Sequence, residues 1–212
     1  MHNKPTELII VPGHAAFKKE VSLPLPSDIE KDDLWVLQSF QAGEPPFYIE
    51  HIKSALELAD NASIVVFSGG RTRLESGRAW SEAKTYYEIA KLLSPKLPRV
   101  ELEEYARDSF QNLDYSVRKF KSLTCTMPTK IFVVGWAFKA ERYHVHAKTL
   151  GVTDTFEYLG VNNPSEDDLQ GALKGERATL EQFEVTPRGD SGPLLDKRLQ
   201  RDPWGDGEPQ EY

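Results

Sequence analysis

Short apolar runs alternate with helix-period segments along most of this 212-residue chain, and that alternation leaves few folds open. Leu8–Val11, Ile64–Phe67 and Lys130–Val134 read as strands buried on both faces. Arg99–Leu102 and Thr155–Leu159 read as weaker ones. Helical patterns separate them: Ile49, Ile52, Leu56 and Ala59; then Tyr86, Ile89, Ala90 and Leu93; then Leu113, Val117, Phe120 and Leu123; then Phe138, Tyr143, Ala147 and Leu150. Strand followed by helix, repeated, predicts an α/β fold of Rossmann-like type: a three-layer sandwich with a mainly parallel sheet of about five strands and helices on both faces.

Between the first two strands, Ala15–Leu25 reads as a loop because Pro24 and Pro26 interrupt it. Ser27 or Asp28 caps an expected helix to about Gln41, with Leu34, Trp35, Leu37 and Phe40 on its apolar face. Residues 27–60 therefore read as a helical insertion. Ser81 and Glu82 open one helix. Asp108 opens another, with Gln111 completing an approximate capping box. Gly135 is expected to end its strand and Gly151 its helix. Residues 1–163 make one α/β domain. Residues 164–212 add a helix over Ser165–Lys174, a further one from Gly175 to Phe183, and an extended arm packed on the same domain.

Composition narrows the partners. A net charge of −7 disfavours nucleic acid and acidic membranes, which select basic proteins. A single cysteine, Cys125, excludes an intrachain disulfide and points to a reducing, cytoplasmic setting. No apolar run is long enough for a membrane span. His144 and His146 are two apart and diverge on a helix, and no HxxxH or CxxC occurs, so no metal site is expected. Oligomeric state leaves no trace in the sequence.

Against this acidic background, Ser68-Gly69-Gly70-Arg71-Thr72-Arg73 stands out. It follows a core strand, at the sheet edge where α/β proteins bind ligands. Two glycines can expose bare amides, and Arg71 and Arg73 can fork onto a carboxylate or phosphate. It is neither a P-loop nor GxGxxG. His14 follows Gly13 at the end of the first strand and is a donor or general acid–base candidate. Glu82 and Asp108 are the carboxylates at the same edge, and each is equally readable as a helix-start residue. Ser109, Asn112, Lys139 and Arg142 complete the polar set. The residues thus point to a pocket for a small anionic molecule. His14, Asp108 and Glu82 are the catalytic candidates. Gly13, Ser68, Gly69, Gly70, Arg71, Arg73, Ser109, Asn112, Lys139 and Arg142 are the ligand-binding candidates. An enzyme on a phosphorylated or carboxylated metabolite and a non-catalytic binder or sensor both fit, and a partner-binding module ranks third.

Gly13, Ser68-Gly69-Gly70, Ser81-Glu82-Ala83, Glu103, Ser109, Asn112 and Arg142, in this order and spacing, resemble the YdcF-like (SanA/ElyC) domain family over Leu8–Gly151. The eukaryotic-type branch is most similar, through GHA at Gly13–Ala15, EEYARDSFQNL, FKAER leading to His146, and the tail segments KGE and DKRLQRDPWG. The chain departs from the wider family at Ala106, Asp108 and Gln111, and at Lys139, where bacterial members often carry His. The resemblance implies a Rossmann-like fold with a pocket at the carboxyl ends of the strands and a nucleotide-like ligand such as S-adenosylmethionine. It implies no settled activity.

Overall fold

The structure is a computed structural model describing residues 4–22 and 24–212; Leu23, inside the expected loop, lies outside the described residues. Five strands form one all-parallel sheet: β1 (Glu7–Pro12), β4 (Ser63–Ser68), β5 (Val100–Glu103), β6 (Lys130–Trp136) and β7 (Phe156–Asn162). Their order is β5-β4-β1-β6-β7. Strands alternate with helices α1 (Pro45–Leu58), α2 (Glu82–Leu93), α3 (Ser109–Thr124) and α4 (Ala140–Leu150). The expected Rossmann-like sandwich is present.

Side-chain alternation along the strands builds the two cores. Ile9, Val11, Val65 and Phe67 point to one face, where α1 brings Tyr48, Ile49 and Ile52 and α2 brings Ala83, Tyr86 and Ile89. Leu8, Ile10, Ile64 and Val66 point to the other, against Leu113, Val117 and Phe120 of α3 and Tyr143 and Ala147 of α4. The chain works outward from β1 to β4 and β5, then returns across to β6 and β7. The winding therefore reverses between β1 and β6, and the carboxyl ends of those strands part there.

The insertion departs from the sequence reading. Residues 27–41 do not form a helix. Turns there lead into a 3₁₀ turn at Asp32–Leu34, a two-residue strand β3 (Trp35–Val36) and another 3₁₀ turn at Ser39–Gln41. β3 pairs antiparallel with β2 (Ala16–Phe17), inside the stretch expected as loop. Trp35 explains the choice. Its ring is buried against Phe17 and Tyr48, and its Nε1 donates to the Ile29 carbonyl, which a continuous helix would have committed to its own ladder. Helix α1 then starts on Pro45 and Pro46, residues suited to a first turn.

Two further corrections concern ends. β6 does not stop at Gly135; it runs to Trp136 through a register shift against β7. The two helices expected after Ser165 are one, α5 (Glu166–Val185), capped by Ser165 and continuous through Gly175. The arm contains a sixth helix, α6 (Gly192–Gln200), and folds back onto α3: Leu194 and Phe183 pack on Phe110. Among the described residues, no helix is long and apolar enough to cross a membrane.

Candidate functional site

At the parting of β1 and β6 lies a cavity of about 650 Å³. Gly13 and His14 directly follow β1, Thr72 and Arg73 lie in the loop after β4, Ala106 and Arg107 in the loop after β5, Trp136 ends β6 and Lys139 ends the turn after it. Helix α5 walls one side with Gly171, Gly175 and Glu176, and Arg201 reaches in from beyond α6.

Of the residues singled out in the sequence, Gly13, His14, Arg73, Glu82, Asp108, Ser109, Asn112, Lys139 and Arg142 line this cavity. Ser68, Gly69, Gly70 and Arg71 do not. The glycine turn is therefore not the anion nest it resembles. Gly69 N–H donates to the Glu103 carbonyl at 2.9 Å and Gly70 N–H to the Ala106 carbonyl at 2.7 Å, so neither amide is bare. The glycines serve close approach instead. A Cβ on Gly13 would stand 2.4 Å from Glu82 Cβ, and one on Gly69 2.7 Å from it. The ends of β1 and β4 thus clasp the first residue of α2, whose Glu82 and Ala83 amides donate to the Gly70 and Gly69 carbonyls. Ser68 is fully buried; its hydroxyl donates to Glu103 Oε2 at 2.6 Å and lies 3.0 Å from Asn112 Oδ1. Burial pushes the Glu103 carboxyl up to about 7, although bonds from Ser68 and from the Tyr105 and Ala106 amides favour its ionised form.

Arg71 has turned the other way. Its Nε donates to the Arg78 carbonyl, and its guanidinium pairs with Glu104 at 3.0 Å and approaches Asp206 at 4.0 Å. Glu82 is thus not its acceptor. Asp108 is also not available as a base. Oδ1 caps α3 by accepting from Gln111 N–H, and Oδ2 accepts from Arg198 at 2.7 Å. Gln111 does not complete the capping box; its Oε1 accepts from Arg107 N–H, one residue earlier.

His14 and Glu82 have the character of reactive groups. The His14 ring packs among Tyr48, His51 and Trp136, and its buried Nε2 has no hydrogen-bond partner among the described residues. Burial first, then Lys139, His51 and Arg142, hold its imidazole well below the usual histidine range, so it is neutral at pH 7. Burial raises the Glu82 carboxyl; the Thr72 hydroxyl donates to it at 2.6 Å and, with Arg201, Arg73 and Lys139, opposes that rise.

The charges of the cavity are unevenly committed. Its acids other than the exposed Asp167 have partners: Glu176 pairs with Arg142 at 2.8 Å, Glu44 accepts from Tyr48, and Asp168 accepts from Ser165. Among its bases, neither Arg73 nor Lys139 has an ion-pair or hydrogen-bond partner among the described residues. Arg201 spends one nitrogen on the Arg107 carbonyl at 2.9 Å. Burial, then Arg142, bring the Lys139 amine down to about 7.

Sequence reasoning missed Arg201, Glu176 and the bond between Ser109 Oγ and His146 Nε2, 2.8 Å long and buried. The tail segments KGE and DKRLQRDPWG were the available signals; they carry Glu176, Arg198, Arg201 and Asp202. Among the described residues no cluster of His, Cys, Asp or Glu is arranged to hold a metal. For the nucleotide-like ligand implied by the resemblance, the cavity offers Arg73 as a cation, the half-buried Glu82 as a carboxyl group, and the tilted aromatic pair Trp136 and Phe138, with centroids 5.9 Å apart.

No family model matches this sequence, and no solved structure does. It is 30% identical, over an alignment 210 positions long, to the uncharacterized protein YOR238W of Saccharomyces cerevisiae, covering 76% of this chain and 68% of the yeast protein. The chain belongs to the family of YOR238W. The yeast relative's name carries no activity, so the chemistry of the cavity has to speak for function.

Proposed function

We propose that the protein is a cytosolic enzyme acting on a small phosphorylated or carboxylated metabolite, with the cavity between β1 and β6 as its active site. One observation carries the reading: Arg73 and Lys139 face this cavity without an acidic partner among the described residues, while Glu82, Asp108 and Glu176 beside them are engaged elsewhere. An uncompensated cation inside a protein is costly and calls for an anion. Arg73 and Arg201 hold that anion, Ser109 and Asn112 orient the remainder, and His14 with Glu82 moves protons. A neutral, orphaned imidazole is suited to accept a proton from a bound substrate.

Kinship with YdcF-like domains is part of the proposal. Its support is that the motif residues form one connected cluster, in which Ser68 bonds Glu103 and Asn112 while Glu82 is clasped by Gly13 and Gly69.

Titration calorimetry with inorganic phosphate, then a panel of phosphorylated and carboxylated metabolites, tests the reading. Binding that weakens tenfold or more in Arg73→Ala, with turnover of a panel member lost in His14→Ala, is the expected result. A panel in which nothing binds, or binding indifferent to Arg73, defeats it. The aromatic pair Trp136 and Phe138 favours a second reading, a non-catalytic binder of a nucleotide-like ligand such as S-adenosylmethionine. Recovery of the bound compound chemically intact, with no panel member turned over, selects that alternative.

A further inference from the structure

Lys139 lines the cavity where the two halves of the sheet part. It ends the 3₁₀ turn after β6, where the winding of the sheet reverses, and its side chain lines the same space as His14, Glu82 and Arg201. The side chain is half-buried, and a lysine in such a place ordinarily finds a carboxylate. This one has none within ion-pair distance among the described residues, although Glu44 and Glu176 line the same cavity. Glu176 is committed to Arg142 and Glu44 to Tyr48. The Phe138 ring centre lies 5.5 Å from Lys139 Nζ. The charges around the lysine are mixed: Arg142 and Arg201 oppose its charge, Glu176 and Glu44 favour it, and burial outweighs them all.

These are the conditions that turn a lysine from a charge into a nucleophile: removal from water and nearby cations, both of which favour the free amine. Its basicity is correspondingly brought down to about 7, so roughly half the amines are uncharged at neutral pH. The adjoining His14 imidazole is neutral with an unpartnered Nε2, and the Glu82 carboxyl, raised by burial, lines the same space, so two groups able to exchange protons share the cavity with the amine.

We propose that Lys139 is a covalent catalytic residue that forms an imine with a carbonyl compound bearing a carboxylate or phosphate, the anion being held by Arg73 and Arg201. The inference rests on the anion-binding reading of the cavity and adds the substrate class, an anionic aldehyde or ketone. In the step, the amine nitrogen adds to the carbonyl carbon and the carbonyl oxygen takes up a proton, giving a carbinolamine. The carbon–oxygen bond then breaks. The oxygen leaves as water, carrying the two hydrogens the amine has lost, and the resulting imine is protonated to an iminium. No oxidant, reductant or further reactant is needed. The role is distinct from simple charge pairing, because an arginine at this position keeps the charge and cannot form the bond.

The test is reductive trapping on the full chain. The protein is incubated with pyruvate or with glyceraldehyde 3-phosphate in the presence of cyanoborohydride, which delivers hydride to the iminium carbon. Adducts are then located by peptide mass mapping. The proposal expects one adduct at Lys139 formed at least tenfold faster than at any other lysine, suppressed by excess inorganic phosphate and absent from Lys139→Arg. Wild-type mapping alone decides the point should the variant fail to fold. Thermal-shift titration with phosphate, run in parallel without reductant, separates the two claims. Phosphate binding without selective labelling of Lys139 overturns the imine and leaves the anion site standing. Absence of both overturns both. Labelling spread evenly over surface lysines, insensitive to phosphate, also overturns the imine.

Discussion

Glu103 is buried at the end of β5, with a carboxyl pushed up to about 7. The unfolded carboxyl loses its proton near its ordinary value of 4.5, so between there and about 7 the unfolded state binds fewer protons than the native state. This group's contribution is therefore fully present at low pH and disappears as pH rises through about 7. Glu103→Gln should flatten the decline in denaturant stability between those limits, a change of up to roughly 3 kcal/mol for a shift of this size. Urea melts at several pH values read it directly. A second outcome concerns Gly13 and Gly69: an added Cβ meets Glu82 Cβ at 2.4 and 2.7 Å, so alanine at either should cost about 1–3 kcal/mol in the same assay. The sequence marked these glycines for the wrong reason. It showed where the backbone must come close but not to what, and a helix residue rather than a ligand fills the space. Arg71 and Arg73 were indistinguishable for a similar reason. The groups that claim Arg71, Glu104 and Asp206, lie in other loops, and no local pattern reveals them.

Strands, caps and stops were legible where one residue decides them. Short all-apolar runs gave β1, β4 and β6; Ser81 and Asp108 cap as their side chains allow; Gly151 ends α4 at φ 71°. Residues 27–41 were not legible, because Leu34, Trp35 and Leu37 imitate a helical stripe while Trp35 is buried by pairing with β2. Helix α5 misled in the opposite sense. Gly175, read as the boundary between two helices, is helix interior like Gly171 four residues earlier on the cavity side, with nothing within 4 Å of an added Cβ at either. Gly175→Ala should raise stability by about 0.5–1 kcal/mol, read as an increase in melting temperature, while narrowing the cavity. The Arg142–Glu176 pair ties α4 to α5 with both side chains largely buried. Glu176→Ala leaves a buried guanidinium alone and should cost about 3 kcal/mol or more by chemical denaturation.

At the scale of the molecule, counting strands and helices predicted a parallel sheet with a pocket at its carboxyl edge, but the strand order, and with it the reversal of winding between β1 and β6, came only with the structure. The arm was invisible to that count. It pairs Arg198 with Asp108, Asp202 with Arg107, and the Gly207 carbonyl with Arg107 again, so it braces the loop between β5 and α3. Deleting residues 191–212 should therefore lower the melting temperature by more than 5 °C and abolish phosphate binding, with far-UV circular dichroism of the sheet domain largely retained.

Arg201 leaves the ribosome after every strand of the sheet and every helix that packs on it. A nascent chain can assemble its layered body while the cavity still lacks one of its cations. Maturation of the newborn protein thus has a distinct last stage, in which a shaped but unready chamber gains its final charge when the arm settles.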